Sequence, residues 1–204
     1  MKKLFLLLGL ALASIGIHAE DKSDLNFLGL YGPVSSVSCI YVDDVYSTGK
    51  AKSESVSQEK ETYFFDKKGQ IKEAYLQDSQ LQIIRDKQGT IQRVVVPNRD
   101  GKDGFAYNVI WNEDGKPKSF VYDLYNYTAC VENFIYGGFG SLMAATMTCS
   151  VEESEGWETM TSYQVLERDE HFNWTKRLEI SIIGEEEADH ISYTLQLRKI
   201  RYHD

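Results

Sequence analysis

Tyr63-Phe64-Phe65-Asp66-Lys67-Lys68-Gly69-Gln70-Ile71 and Gln82-Ile83-Ile84-Arg85-Asp86-Lys87-Gln88-Gly89-Thr90-Ile91 are two copies of one cassette. In each, an apolar strand runs into Asp, two variable residues and Gly, and a second strand follows. Asp66 to Asp86 and Gly69 to Gly89 share one offset of 20 residues. The physical reading is local. Asp at the first turn position accepts hydrogen bonds from backbone N–H groups just ahead of it. Gly at the fourth adopts positive φ without a Cβ clash. A type I turn closed by a left-handed residue reverses the chain into an antiparallel hairpin.

Working outward, the same grammar recurs. Val34–Val42 reads as a first strand after the Gly32-Pro33 turn, and residues 47–61, rich in Ser, Lys and Glu, read as an exposed loop. Ile71–Leu76 puts Ile71, Glu73 and Tyr75 on one face, and Thr90–Val96 follows the second turn. Phe105, Tyr107, Val109 and Trp111 alternate along 105–111. A third turn is centred on Asp114-Gly115, and a strand resumes at Phe120–Tyr125. Cys130–Tyr136 turns at Gly137–Gly140 into a strand over Ser141–Val151. Another strand starts after a turn at Gly156 and runs to Glu167, Asp169 opens the next turn, and 175–183 and His190–Arg198 complete the set. In the last, Ile191, Tyr193, Leu195 and Leu197 share one side. Apolar spacing is near two throughout, with no sustained helical period. The fold class is all-β: successive antiparallel hairpins forming a curved, twisted sheet or a partly closed two-layer structure. Asp66, Gly69, Asp86, Gly89, Asp114, Gly115 and Asp169 are its turn residues.

The cassettes resemble the YD-type repeats of bacterial exported proteins, whose units read as aromatic, Asp, two variable residues, Gly and a strand. Asp169-Glu170-His171-Phe172-Asn173-Trp174 resembles their commonest form, with Phe172 where Gly belongs. Leu30-Tyr31-Gly32-Pro33-Val34-Ser35-Ser36-Val37 is similar to the opening of small secreted proteins of Bacteroides-like bacteria that carry such cassettes. The resemblance implies stacked hairpins and no enzyme.

Residues 1–19 read as a secretory signal peptide: Lys2 and Lys3, an apolar core from Leu4 to Ile17, and Ala19 before a polar stretch. The core is short for a membrane span. Residues 20–204 then form one β domain in the periplasm or outside the cell, with no transmembrane segment. The net charge of −9 becomes more negative when the leader leaves, which disfavours nucleic acid. Three cysteines allow at most one intrachain bridge, and Cys130 with Cys149, flanking the Gly-rich turn, is the candidate pair. Three free thiols are the alternative.

No His or Cys spacing suits a metal. Asn98–Gly104 is the most calcium-like loop, yet it lacks the ordered run of oxygen ligands. The sequence therefore calls for no metal and no cofactor. Exposed aromatics are the binding candidates: Tyr107, Trp111, Tyr122, Trp157 and Trp174, with Trp157 and Trp174 nearest turns. Their partner would be an unknown protein, a peptide or a glycan. The leading function is a non-enzymatic structural or binding module of the bacterial envelope. A hydrolase of surface polysaccharide acting through a carboxylate pair, and an adhesin or self-assembling surface subunit, are the alternatives.

Overall fold

The computed structural model describes residues 23–42, 46–47, 50–51, 58–98, 103–124, 128–151, 154–184 and 190–204. The leader and the calcium-like loop, apart from Asn98, Asp103 and Gly104, lie outside them. A four-residue helix α1 (Asp24–Phe27) precedes fifteen strands. These are β1 (Val34–Val42), β2 (Tyr46–Ser47), β3 (Lys50–Ala51), β4 (Gln58–Phe65), β5 (Ile71–Leu76), β6 (Ser79–Gln80), β7 (Gln82–Arg85) and β8 (Ile91–Pro97). The series continues with β9 (Asp103–Trp111), β10 (Pro117–Leu124), β11 (Thr128–Tyr136), β12 (Leu142–Val151), β13 (Ser154–Arg168), β14 (Trp174–Gly184) and β15 (His190–Tyr202).

Thirteen of these strands form one antiparallel sheet, and β2 with β3 makes a separate small ribbon. Strands β4 to β6 and β7 to β15 each pair with their neighbours in the chain, and β1 pairs with β4. The first strand also pairs with the last: Val37 faces Ile200, Cys39 faces Arg198 and Tyr41 faces Gln196. That pairing rolls the meander into a nearly closed up-and-down barrel, which hides edges that an open sheet would expose. The seam lies where one short segment serves both sides. β6 pairs with β5 and β7 with β8, with Leu81 between them donating its N–H to Ala74 O at 2.8 Å.

Five turns of one geometry stack along the same end of the barrel. In each, the first residue's N–H donates to the carbonyl four residues on, and the fourth residue's N–H donates back to the first carbonyl. The first residues are Asp66, Asp86, Asn112, Gly137 and Asp169. Asp66, Asp86 and Asp169 also accept two backbone N–H bonds each through Oδ1, at 2.8–3.0 Å. The N–H groups of Gln70 and Lys68 hold the Asp66 carboxyl below the usual carboxylate range. The fourth position is left-handed every time: φ is +76° at Gly69, +85° at Gly89, +74° at Gly115, +69° at Gly140 and +65° at Phe172. Phe172 therefore completes the same turn that Gly completes elsewhere. In the third turn the capping side chain is Asn112, whose Oδ1 accepts from Lys116 N at 2.9 Å, and not Asp114, which is exposed.

Side chains from α1 and the strand ends fill the barrel at the turn end. Phe27 rests against Trp111 and Phe120, at 6.3 and 5.7 Å between ring centres. Leu30, Val34, Val37, Phe65, Ile91 and Val94 close the layer around it. Each large apolar side chain buried here contributes about 1.5–3 kcal/mol. Asp24 ties the plug across the seam. It accepts from Ile71 N on β5 and from both terminal nitrogens of Arg85 on β7, at 2.5–2.8 Å. Asn173, 0 % exposed, bonds both backbone groups of Tyr31 and the hydroxyl of Tyr202. It clamps the segment that follows α1 onto the last turn.

Three local expectations change. A bulge at Lys72 puts Ile71 inward with Ala74, while Glu73 and Tyr75 face out. The strand expected to begin after a turn at Gly156 runs unbroken from Ser154. The first half of the expected loop 47–61 includes the β2–β3 ribbon, and its end is the start of β4. The apolar row of β15 faces outward, since the alternate residues Gln196 and Arg198 of the same strand line the interior. Cys130 and Cys149 sit directly opposite on β11 and β12 and form a disulfide, and Cys39 is a buried free thiol.

Candidate functional site

Above the apolar plug the barrel interior turns polar. Alternation along each strand sets which residues point in, and the inward rows carry Glu61 and Tyr63 on β4, Tyr107 on β9 and Tyr122 on β10. Glu132 on β11, Tyr163 on β13, Arg177 and Glu179 on β14, and Gln196 and Arg198 on β15 complete the circle. All of them line a cavity of about 440 Å³ that reaches down to Phe27 and Leu28. That volume falls in the ordinary range of small-molecule sites, roughly 300–1,000 Å³.

The polar groups form linked sets. Tyr41 and Tyr63 direct their hydroxyls to Glu61 Oε2, at 3.0 and 3.5 Å. Tyr122 donates to Glu132 Oε2 at 2.7 Å. Arg177 Nε donates to Gln196 Oε1 at 2.5 Å, and Gln196 Nε2 donates in turn to Glu179. Both arginines stack on Trp174: the Arg198 guanidinium lies 3.7 Å from the ring centre and that of Arg177 4.2 Å, with the Tyr163 ring 4.3 Å from Arg177. Cation–π contacts of this kind keep a desolvated guanidinium in place.

Burial governs the electrostatics. It pushes the Glu132 carboxyl up, against the Tyr122 hydrogen bond that opposes it and with help from the negative charge of Glu179. Burial, with the repulsion of Arg198, brings Arg177 down to about 10. Burial followed by neighbouring glutamates raises Tyr63, Tyr107, Tyr122 and Tyr163, so these phenols are neutral donors at any physiological pH. Burial also raises the thiol of Cys39, the cross-strand neighbour of Arg198.

Of the five aromatic candidates, Tyr107, Tyr122 and Trp174 converge on this cavity. Trp174 is only 8 % exposed, not a surface residue, because two arginines and the barrel wall enclose it. Trp111 is structural: its Nε1 donates to Ile91 O at 2.8 Å and its ring supports Phe27. Trp157 alone is exposed, at 40 %, on the strand that faces Cys149 near the end opposite the plug. Sequence reasoning missed Glu61, Glu132, Glu179, Arg177, Gln196 and Arg198. Their signal was phase: Glu132 stands two residues before Phe134, and Glu61 two before Tyr63, on rows already marked by aromatics. Among the described residues no group of three or more His, Cys, Asp or Glu is placed to hold a metal ion.

No family model matches the chain, and no curated protein matches it. Solved structures with a similar chain path include a porin-like protein from Bacteroides uniformis ATCC 8492, at 10 % identity and a TM-score of 0.43. That match covers 84 % of this chain and 98 % of the other. Likeness at this level carries no functional argument.

Proposed function

We propose that the protein is an exported, non-enzymatic binding module of the bacterial envelope that holds a small molecule inside its barrel. One observation carries the reading: a plugged barrel keeps a cavity of about 440 Å³ lined by aromatic rings and a few convergent polar groups. A barrel needed only as a scaffold fills its interior with side chains. The export half rests on the leader read at residues 1–19 and on the acidic charge. Kinship with YD-type-repeat proteins belongs to the same proposal, and five turns of one geometry support it.

The outer wall is mixed: Leu178, Ile180 and Ile182 on β14 stand beside Leu195, Tyr193 and Ile191 on β15. Arg93 on β8 reaches Asn108 on β9 and Asp123 on β10, both on the face away from the cavity. The test is a thermal-shift screen of the mature protein against a small-molecule library, followed by native mass spectrometry. A ligand at a hundred times its Kd adds about 2.7 kcal/mol of stability. A bound molecule displaced by substitutions at Tyr107 or Arg177 supports the reading. A library that leaves the melting temperature unchanged refutes it, and turnover of a bound molecule refutes the non-enzymatic part.

A further inference from the structure

We infer that the ligand is a polyhydroxylated molecule of mono- or disaccharide size, an inference that rests on the binding-module reading above. The first argument is the mixture of polar groups. Lys116, Arg168, Arg177 and Arg198 line the cavity together with Glu61, Glu132 and Glu179, so donors and acceptors both face one space. Arg198 is only partly paired. Its Nη2 donates to Leu28 O at 3.0 Å and its plane covers Trp174, while its Nε and Nη1 are buried with no hydrogen-bond partner among the described residues.

The second argument is unused hydrogen-bonding capacity. Tyr107 and Tyr163 both line the cavity, and neither hydroxyl bonds to any of the described residues. Among the described residues Arg177 commits only its Nε to a hydrogen bond. These donors stand beside carboxylate acceptors, with aromatic rings as walls. Hydroxyl groups, each a donor and an acceptor, match that mixture, and the C–H faces of a sugar ring match the rings. An apolar chain would bury the free phenols unpaired, at a cost for each.

The test uses the mature protein with selectively 13C-labelled tyrosine rings. It is titrated with maltose, cellobiose, lactose and N,N′-diacetylchitobiose, and separately with laurate, citrate and benzamidine. The expected result is saturable shifts of Tyr107 and Tyr163 with at least one disaccharide. Tyr107→Phe and Tyr163→Phe should each weaken that binding about fivefold, with melting temperatures unchanged because neither hydroxyl supports the fold. Shifts with laurate, citrate or benzamidine and silence from the sugars would overturn this ligand class and leave the binding module standing. Silence from every probe overturns the inference, and the library screen then decides the module separately. Loss of stability in the two Phe variants would also overturn it, since the hydroxyls would then be structural.

Discussion

Phe172→Gly should make the protein more stable. Phe172 holds φ at +65° in a turn whose four counterparts carry Gly at the same place. The left-handed region costs a residue with a Cβ about 1–2 kcal/mol. The ring gives little back, being 75 % exposed. The bond that Arg168 Nη1 makes at 2.6 Å goes to the Phe172 carbonyl and survives the change. Glycine adds freedom to the unfolded chain, which offsets about 0.4–1 kcal/mol. The net gain is about 0.5–1 kcal/mol, or roughly 2–3 °C in Tm for a chain of this size. Urea titration with linear extrapolation reads it as a higher midpoint at unchanged slope. Gly89→Phe is the mirror experiment. Its φ is +85° and no atom lies within 4 Å of an added Cβ, so the loss there is backbone strain alone. If Phe172→Gly lowers stability by 1 kcal/mol or more, the equivalence of the five turns is wrong.

Three further outcomes follow from the same contacts. Asp24→Ala removes the acceptor shared by Ile71 N and Arg85 and should cost about 2 kcal/mol by urea titration, with early hydrogen exchange at the β5 and β7 amides. Replacing both Cys130 and Cys149 by Ala opens a loop spanning 19 residues and should cost about 3 kcal/mol in the unfolded-chain entropy account. Glu132→Gln tests the buried carboxyl. Its pKa is raised in the fold, so the folded state binds the proton more tightly than the unfolded state. Stability is then fullest below the ordinary carboxylate value of 4.5 and falls as pH rises through the raised value. The Gln variant should gain about 1 kcal/mol over the parent at pH 7 and almost nothing at pH 4.

The turns were legible because their cause is local: Asp66 and Asp86 bond their own following amides, and Gly69 and Gly89 need positive φ. The disulfide was legible because a short hairpin brings Cys130 opposite Cys149. Closure was not, since it depends on Val37–Tyr41 meeting Gln196–Ile200 across nearly the whole chain, and no local residue type announces that. The site failed for a related reason. Alternation shows that Leu195 and Leu197 share one side of β15, but not that this side faces out while Gln196 and Arg198 face the cavity. A barrel whose apolar filling is confined to the plug around Phe27 leaves its middle free to be polar. That choice is visible only once the strands are rolled together. Trp174 was misjudged because nearness to a turn says nothing of the two arginines that cover it.

The pairing of the first strand with the last is what makes a lumen, and so a site, exist at all. Cross-strand NOEs between the β1 and β15 backbones, at Val37 with Ile200 and Tyr41 with Gln196, test it in solution without any ligand. The account predicts both contacts. Intact hairpins elsewhere with neither of these two contacts would mean an open sheet, and would contradict the cavity together with every functional statement built on it.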